Sequence, residues 1–190
     1  MKLYLLTIGI AMTIVAAINI FFETASVPYI IFAVIGCTIL QIALDGALAI
    51  LIRLTPDHWY GADNPRFDIS DKEKKLYNKL KVRLWKDRVL ELGGLGGFSK
   101  KHLKNPDDPA YIEKFIIECN KGVVTHRLSY PIGFLAMLTM PNICAFTIAF
   151  PIAIVNLYLN ILPTLVLRYN TPLLKSVLKR LNKKAMQCIR

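Results

Sequence analysis

The residues of this chain that could do chemistry are few: three histidines and a scatter of carboxylates. His102-Leu-Lys-Asn-Pro-Asp107 and His58-Trp-Tyr-Gly-Ala-Asp63 both place an aspartate five positions after a histidine. In that arrangement the histidine takes a proton from an acceptor hydroxyl and the aspartate orients the imidazole. The same spacing also describes an exposed loop pair, and Pro106 and Gly61 are loop signals. The third histidine, His126, lies where a polar segment meets an apolar one, with Glu118 eight positions earlier. On a continuous helix that offset is about 80° and ~12 Å of rise, so direct contact requires a break, for which Gly122 is the candidate. Otherwise His126 reads as an interfacial anchor and Glu118 as a local partner of Lys114 and Lys121. Asp45 is the one acid deep in an apolar run; such a carboxylate is either functional or paired within the bundle, Gln41 one turn earlier being the nearest partner.

These residues need elements to hold them, and the elements are largely apolar. The 190 residues have a mean hydropathy of +0.43 and a formal net charge of +11. A basic balance points to nucleic acid or an anionic membrane surface. Long uncharged runs decide for the membrane and against nucleic acid, since a bilayer needs roughly 20 such residues per span. Leu3–Phe22 is too long for a signal-peptide core and reads as a retained span. A second span follows from Tyr29 to about Leu54. Residues 55–127 are polar and basic. Within them, Lys72–Leu92 carries eight Lys/Arg between Lys72 and Arg88, with Leu76, Leu80, Leu84 and Trp85 at helical spacing. Gly93–Gly97 ends that helix and lacks the Lys-Ser/Thr ending of a phosphate loop. Asp108-Pro109 is a helix start, predicting a helix to about Thr125.

Residues 128–167 carry no charge but four prolines, Pro131, Pro141, Pro151 and Pro163. They predict a Pro-rich hairpin reversing at Met140-Pro141-Asn142, its first limb short and re-entrant or spanning. Residues 168–190, with seven Lys/Arg and no acid, predict a basic interfacial helix drawn to anionic lipid. The fold class is therefore all-α integral membrane protein, with about four hydrophobic helices. It is organised as 1–54, 55–127, 128–167 and 168–190. Neither the 23–28 link nor the Pro141 reversal carries Lys or Arg, so the positive-inside rule places both termini and the polar domain in the cytoplasm. Cys37, Cys119, Cys144 and Cys188 form no CxxC pair and read as reduced apolar fillers, with no metal site.

Four separated motifs then resemble one family. Tyr77-Asn-Lys-Leu-Lys-Val-Arg-Leu-Trp-Lys-Asp87, Phe98-Ser-Lys100, the stretch Phe115-Ile-Ile-Glu118 to His126, and Leu162-Pro-Thr-Leu-Val-Leu-Arg-Tyr-Asn170 resemble the glycosyl-4,4'-diaponeurosporenoate acyltransferases, small membrane proteins of the staphyloxanthin pathway and their relatives. The resemblance covers roughly Pro56 to the C-terminus. It implies transfer of a fatty acyl chain to a sugar hydroxyl, and it implies site residues by position: His126 and Glu118 as catalytic, and Trp85, Lys86, Asp87, Arg168, Tyr169 and Asn170 as substrate-binding. The chain departs from the family pattern at Cys119, Lys121, Val123 and Arg127, so the expectation carried over is a membrane O-acyltransferase on a glycolipid-type acceptor of a bacterial cell membrane. It uses no cofactor; its co-substrate is an acyl donor such as acyl-CoA, acyl carrier protein or a phospholipid. The partners expected are lipid substrates, anionic lipids and a second membrane protein or further copies of the chain. The alternative, favoured by Val123 and Arg127, is a non-enzymatic membrane adaptor or lipid-binding subunit. A third, a transporter gated at Asp45, requires oligomerisation.

Overall fold

The computed structural model describes residues 2–89 and 103–188. The expected glycine break at Gly93–Gly97, the Phe98–Lys100 motif and His102 of the first His-x4-Asp pair lie outside the described residues. All regular structure among the described residues is helical. The chain forms two compact units, Met1–Leu51 with Thr125–Ile161 (unit 1) and Ile52–Val124 with Leu162–Arg190 (unit 2).

The helices are α1 (Lys2–Phe21), α2 (Val27–Arg53), α3 (Asp71–Lys79), α4 (Val82–Trp85), α5 (Pro109–Ile132), α6 (Asn142–Cys144) and α7 (Phe150–Cys188). Three helical stretches are long and apolar enough to cross a membrane: Tyr4–Phe21, Val27–Arg53 and Ala145–Gln187. The expected fourth limb is absent from that set. α5 starts at Pro109, with the Asp108 carboxylate capping the Ala110 N–H at 2.9 Å as the sequence indicates. It then continues past Thr125 to Ile132 and passes into 3-10 turns over Gly133–Thr139. Pro131 has no N–H for the Arg127 carbonyl, which weakens the helix just before that change. The chain reverses at Met140-Pro141, where Met140 is extended and a new helix begins. The basic C-terminal helix expected as a separate element is the end of α7, which runs unbroken from Phe150.

Unit 1 packs Val15 of α1, Ile30, Val34 and Cys37 of α2, Ala136, and Ile148 and Ile152 around one apolar core. Two of its polar contacts explain how proline-rich helices survive here. A proline cannot donate to the carbonyl four residues earlier, and in a membrane that carbonyl needs another donor. Pro151 leaves the Thr147 carbonyl open, and the Asn19 amide donates to it at 2.9 Å. Pro163 leaves the Leu159 carbonyl open, and the Tyr4 hydroxyl donates to it at 3.2 Å. Both donors come from α1, so α1 runs antiparallel to the 147–159 stretch at the start of α7, residue 19 beside 147 and residue 4 beside 159.

Unit 2 is built on a different logic. Ile112, Phe115, Ile116, Cys119 and Val123 form one face of α5 at helical spacing, packed on Leu167 and Leu174 of α7. Charge pairs fasten the remaining segments. Lys121, 8% exposed at its side chain, donates to the Arg53 and Thr55 carbonyls at the end of α2 and to Asp57 at 2.6 Å. It thus turns to Asp57, not to Glu118. The single amphipathic helix expected over Lys72–Leu92 is broken at Lys81, a left-handed residue (φ 50°) between α3 and α4. Leu76, Leu80 and Leu84, expected to share one face of it, are all exposed.

Candidate active site

Three helices of unit 1 each contribute a short polar stripe to an otherwise apolar interior. On α2, Gln41 and Asp45 are one turn apart. On α5, His126, Ser129 and the following Gly133 share a face. On α7, Asn156 and Asn160 are again one turn apart. Intrahelical spacing brings each pair into line, and packing brings the stripes together.

The centre of the cluster is the Asn160 side chain, 4% exposed. Its Nδ2 lies 3.1 Å from Asp45 Oδ2, 3.0 Å from the Asn156 carbonyl and 3.1 Å from Asn156 Oδ1. All three are acceptors, so this end of the amide must be the NH2 and the other end its oxygen. That oxygen sits 2.7 Å from His126 Nδ1. An amide oxygen can only accept, so Nδ1 of the neutral ring carries the hydrogen and Nε2 carries the lone pair. Asp45 to Asn160 to His126 is therefore a relay of orientation: a carboxylate fixes an amide, and the amide fixes a histidine tautomer. Gln41, whose pairing with Asp45 the sequence allowed, instead donates to the Gly133 carbonyl at 3.0 Å.

Three polar atoms of the cluster are buried without a hydrogen-bond partner: Asp45 Oδ1, Ser129 Oγ and Asn156 Nδ2. Buried groups of this kind are costly in a protein interior and more so in a membrane. They are three of the five such atoms among the described residues, the other two being Asn120 Oδ1 and Arg168 Nη1 in unit 2, and this makes the cluster the candidate site.

The other residues expected in the site occupy different positions. Glu118 is half-buried on α5, which continues unbroken through Gly122, so eight positions of helix separate it from His126. The His126 ring instead meets the Asn160 side chain. Arg168, 5% exposed, forms a two-pronged pair with Glu73, Nε to Oε1 at 2.7 Å and Nη2 to Oε2 at 2.5 Å, and also donates to the Asp68 carbonyl. Tyr77 donates its hydroxyl to the same Glu73 and meets the Tyr169 ring edge-on. Burial first, and then the Glu73 hydrogen bond, push the Tyr77 hydroxyl well above the usual tyrosine range, with Arg168 pulling the other way. Trp85 donates its indole N–H to the Leu80 carbonyl, Lys86 pairs with Asp87 beside it at 3.4 Å, and Asn170 is half-buried. His58 and Asp63 are both exposed, with no hydrogen bond joining them.

The family model for glycosyl-4,4'-diaponeurosporenoate acyltransferase matches residues 56–180, about two thirds of the chain. This chain belongs to that family. No curated protein and no solved structure shows significant similarity to it. Membership supports acyl transfer as the general class of activity, and the apolar helices suggest a membrane protein. The matched segment contains His126, Asn156 and Asn160, while Asp45 and Gln41 precede it. In this member of the family the carboxylate that completes the relay thus comes from the N-terminal helices. Asn156 and Asn160 went unread in the sequence. The available signal was two amides one turn apart in forty residues without a charge, the pattern that marks functional polar groups inside membranes.

Proposed function

We propose that this protein is a membrane O-acyltransferase that moves a fatty acyl chain onto a hydroxyl of a lipid or glycolipid acceptor. The observation that carries the reading is the Asp45–Asn160–His126 relay within a unit of membrane-length helices. His126 Nε2 takes the proton of the acceptor hydroxyl as its oxygen attacks the acyl carbonyl carbon. The carbonyl π pair moves onto oxygen and then returns, breaking the bond to the donor's leaving group. The leaving group takes the proton from His126, so the histidine ends as it began.

The acyl donor is a thioester or an oxygen ester. The relay lies at the end of unit 1 opposite the uncharged 23–28 link and Pro141 reversal, so by the positive-inside rule it is on the cytoplasmic side, where acyl-CoA and acyl carrier protein are available. Glu73 already engages Arg168 in a buried two-pronged pair. We therefore assign Arg168 to holding α3 on α7 and place no step of the reaction on it.

The reading is tested with membranes from cells expressing the wild type or His126→Ala, supplied with radiolabelled palmitoyl-CoA. Label should enter a glycolipid fraction with wild type only. Equal incorporation by both would remove His126 from the reaction.

A further inference from the structure

The inward face of α3 is fully employed. Glu73 pairs with Arg168, and Tyr77 donates to Glu73 and meets Tyr169. The outward face has no such partners, yet it is not simply polar. At about 100° per residue, Leu76 and Leu80 stand side by side one turn apart, and Lys72, Lys75 and Lys79 form the next row, about 90° further round. Leu76 is 46% and Leu80 42% exposed, and all three lysines are exposed. Asn78, also exposed, lies on the side opposite the leucines.

None of Lys72, Lys75 and Lys79 forms an ion pair among the described residues. The nearby acids are engaged elsewhere: Asp71 with Lys74, Glu73 with Arg168 and Asp87 with Lys86. A row of uncompensated positive charge therefore runs beside two exposed leucines.

That pairing matches the edge of an anionic bilayer. Leucines enter the boundary of the acyl chains, and lysine stems lie along it while their ammonium groups reach phosphate. A soluble acidic protein would answer the charges as well, but the start of unit 2 decides for lipid. Unit 2 begins at Ile52, and the helix that ends at Arg53 is long and apolar enough to cross a membrane. Lys121 ties that end into the unit through the Arg53 and Thr55 carbonyls. Leu54 and Trp59, both exposed, follow directly, and tryptophan is a residue type that settles at the membrane–water boundary. A bilayer surface is thus always within reach of unit 2, so docking on it is intramolecular, whereas a soluble partner has to arrive by diffusion.

We propose that the leucine pair and lysine row of α3 form a lipid-docking face, which binds the anionic surface of the membrane that holds the protein. Docking of α3 does not depend on acyl transfer. Each lysine brought near an anionic surface favours the docked state by about fivefold.

The test uses the full-length protein carrying Cys188→Ser, in which Cys37, Cys119 and Cys144 are buried. One cysteine is added by Leu76→Cys or by Asn78→Cys and labelled with an environment-sensitive fluorophore. The protein is then reconstituted in vesicles of phosphatidylcholine with or without phosphatidylglycerol. In the anionic vesicles, spin-labelled lipid should quench the label at position 76, and aqueous iodide should quench the label at position 78. Lys75→Glu together with Lys79→Glu should shift position 76 toward water by ~25-fold or more in the docking equilibrium, and high salt should act in the same direction. Equal iodide quenching at both positions in anionic vesicles would overturn the proposal. So would lipid quenching at position 76 that needs no phosphatidylglycerol and ignores the two glutamates, because charge would then play no part. Shielding of position 76 only after an acidic acyl carrier protein is added would overturn it in favour of a soluble protein partner. No arm requires turnover, so loss of docking and loss of acyl transfer are read separately.

Discussion

The two units of this chain use polar residues in opposite ways. Unit 1 contains only two Lys/Arg and two Asp/Glu, so the whole net charge of +11 belongs to unit 2. In unit 2 the buried charges are spent on one another: Arg168 on Glu73, Lys121 on Asp57 and on two backbone carbonyls. These contacts fix segments in place. In unit 1 a few neutral amides, one carboxylate and one histidine form a chain that orients a single ring nitrogen, and several of its atoms are left over. Charge density is therefore a poor guide to where the chemistry sits. The basic helix and tail attract attention in the sequence, but three of the five buried polar atoms without a partner among the described residues, Asp45 Oδ1, Ser129 Oγ and Asn156 Nδ2, lie in the unit with almost no charge, against Asn120 Oδ1 and Arg168 Nη1 in unit 2.

That contrast can be broken by substitution. The largest effect is expected from His126→Ala, which should lower turnover by ~100- to 10,000-fold, with the protein still folded in the membrane. Leu84→Ala, on an exposed position of α4, should leave turnover intact. The matching change in unit 2 is Glu73→Ala, which strands the Arg168 guanidinium. It should cost ~3–5 kcal/mol of stability, read by thermal unfolding in detergent, while the folded fraction keeps its specific activity. If Glu73→Ala instead lost turnover at full stability, the division between the units would fail.

Smaller effects sharpen the contrast within unit 1. Asp45→Asn removes the carboxylate that fixes the Asn160 amide and frees the amide to turn its NH2 toward His126. The misoriented histidine should cost roughly 10- to 100-fold in kcat, with KM nearly unchanged. Its measurable signature is a shifted pH profile, which a purely structural role would not produce. The smallest change is Asn19→Ala, which reopens the carbonyl that Pro151 leaves without a donor. It should destabilise the protein by ~1–3 kcal/mol without altering the specific activity of the folded protein.

Much of the architecture was legible in the sequence, for reasons that are local. Uncharged runs define α1 and α2, Asp108-Pro109 starts α5, and Met140-Pro141 turns the chain. What was missed depended on packing. Besides Pro141 at the reversal, Pro131, Pro151 and Pro163 suggested broken limbs, yet α7 accommodates the last two and α1 supplies donors for the carbonyls they open. The period of Leu76, Leu80 and Leu84 suggested one amphipathic helix, but the left-handed Lys81 divides it. His126 could be singled out from its position, and the family pattern reinforced it. Its orienting partner could not be found the same way: Asn160 is thirty-four residues away, and only the packing of α2, α5 and α7 brings it between His126 and Asp45. Glu118 came with the family pattern, and the unbroken α5 keeps it eight helical positions from His126.

The central claim is that the relay in unit 1 carries acyl transfer. The most direct test is mass spectrometry of total lipids from cells expressing the wild type, His126→Ala or no protein, with membrane levels matched. The account predicts a lipid that gains one acyl chain with the wild type alone, its mass identifying the acceptor. Identical lipid profiles in all three would contradict it and favour a non-enzymatic membrane role.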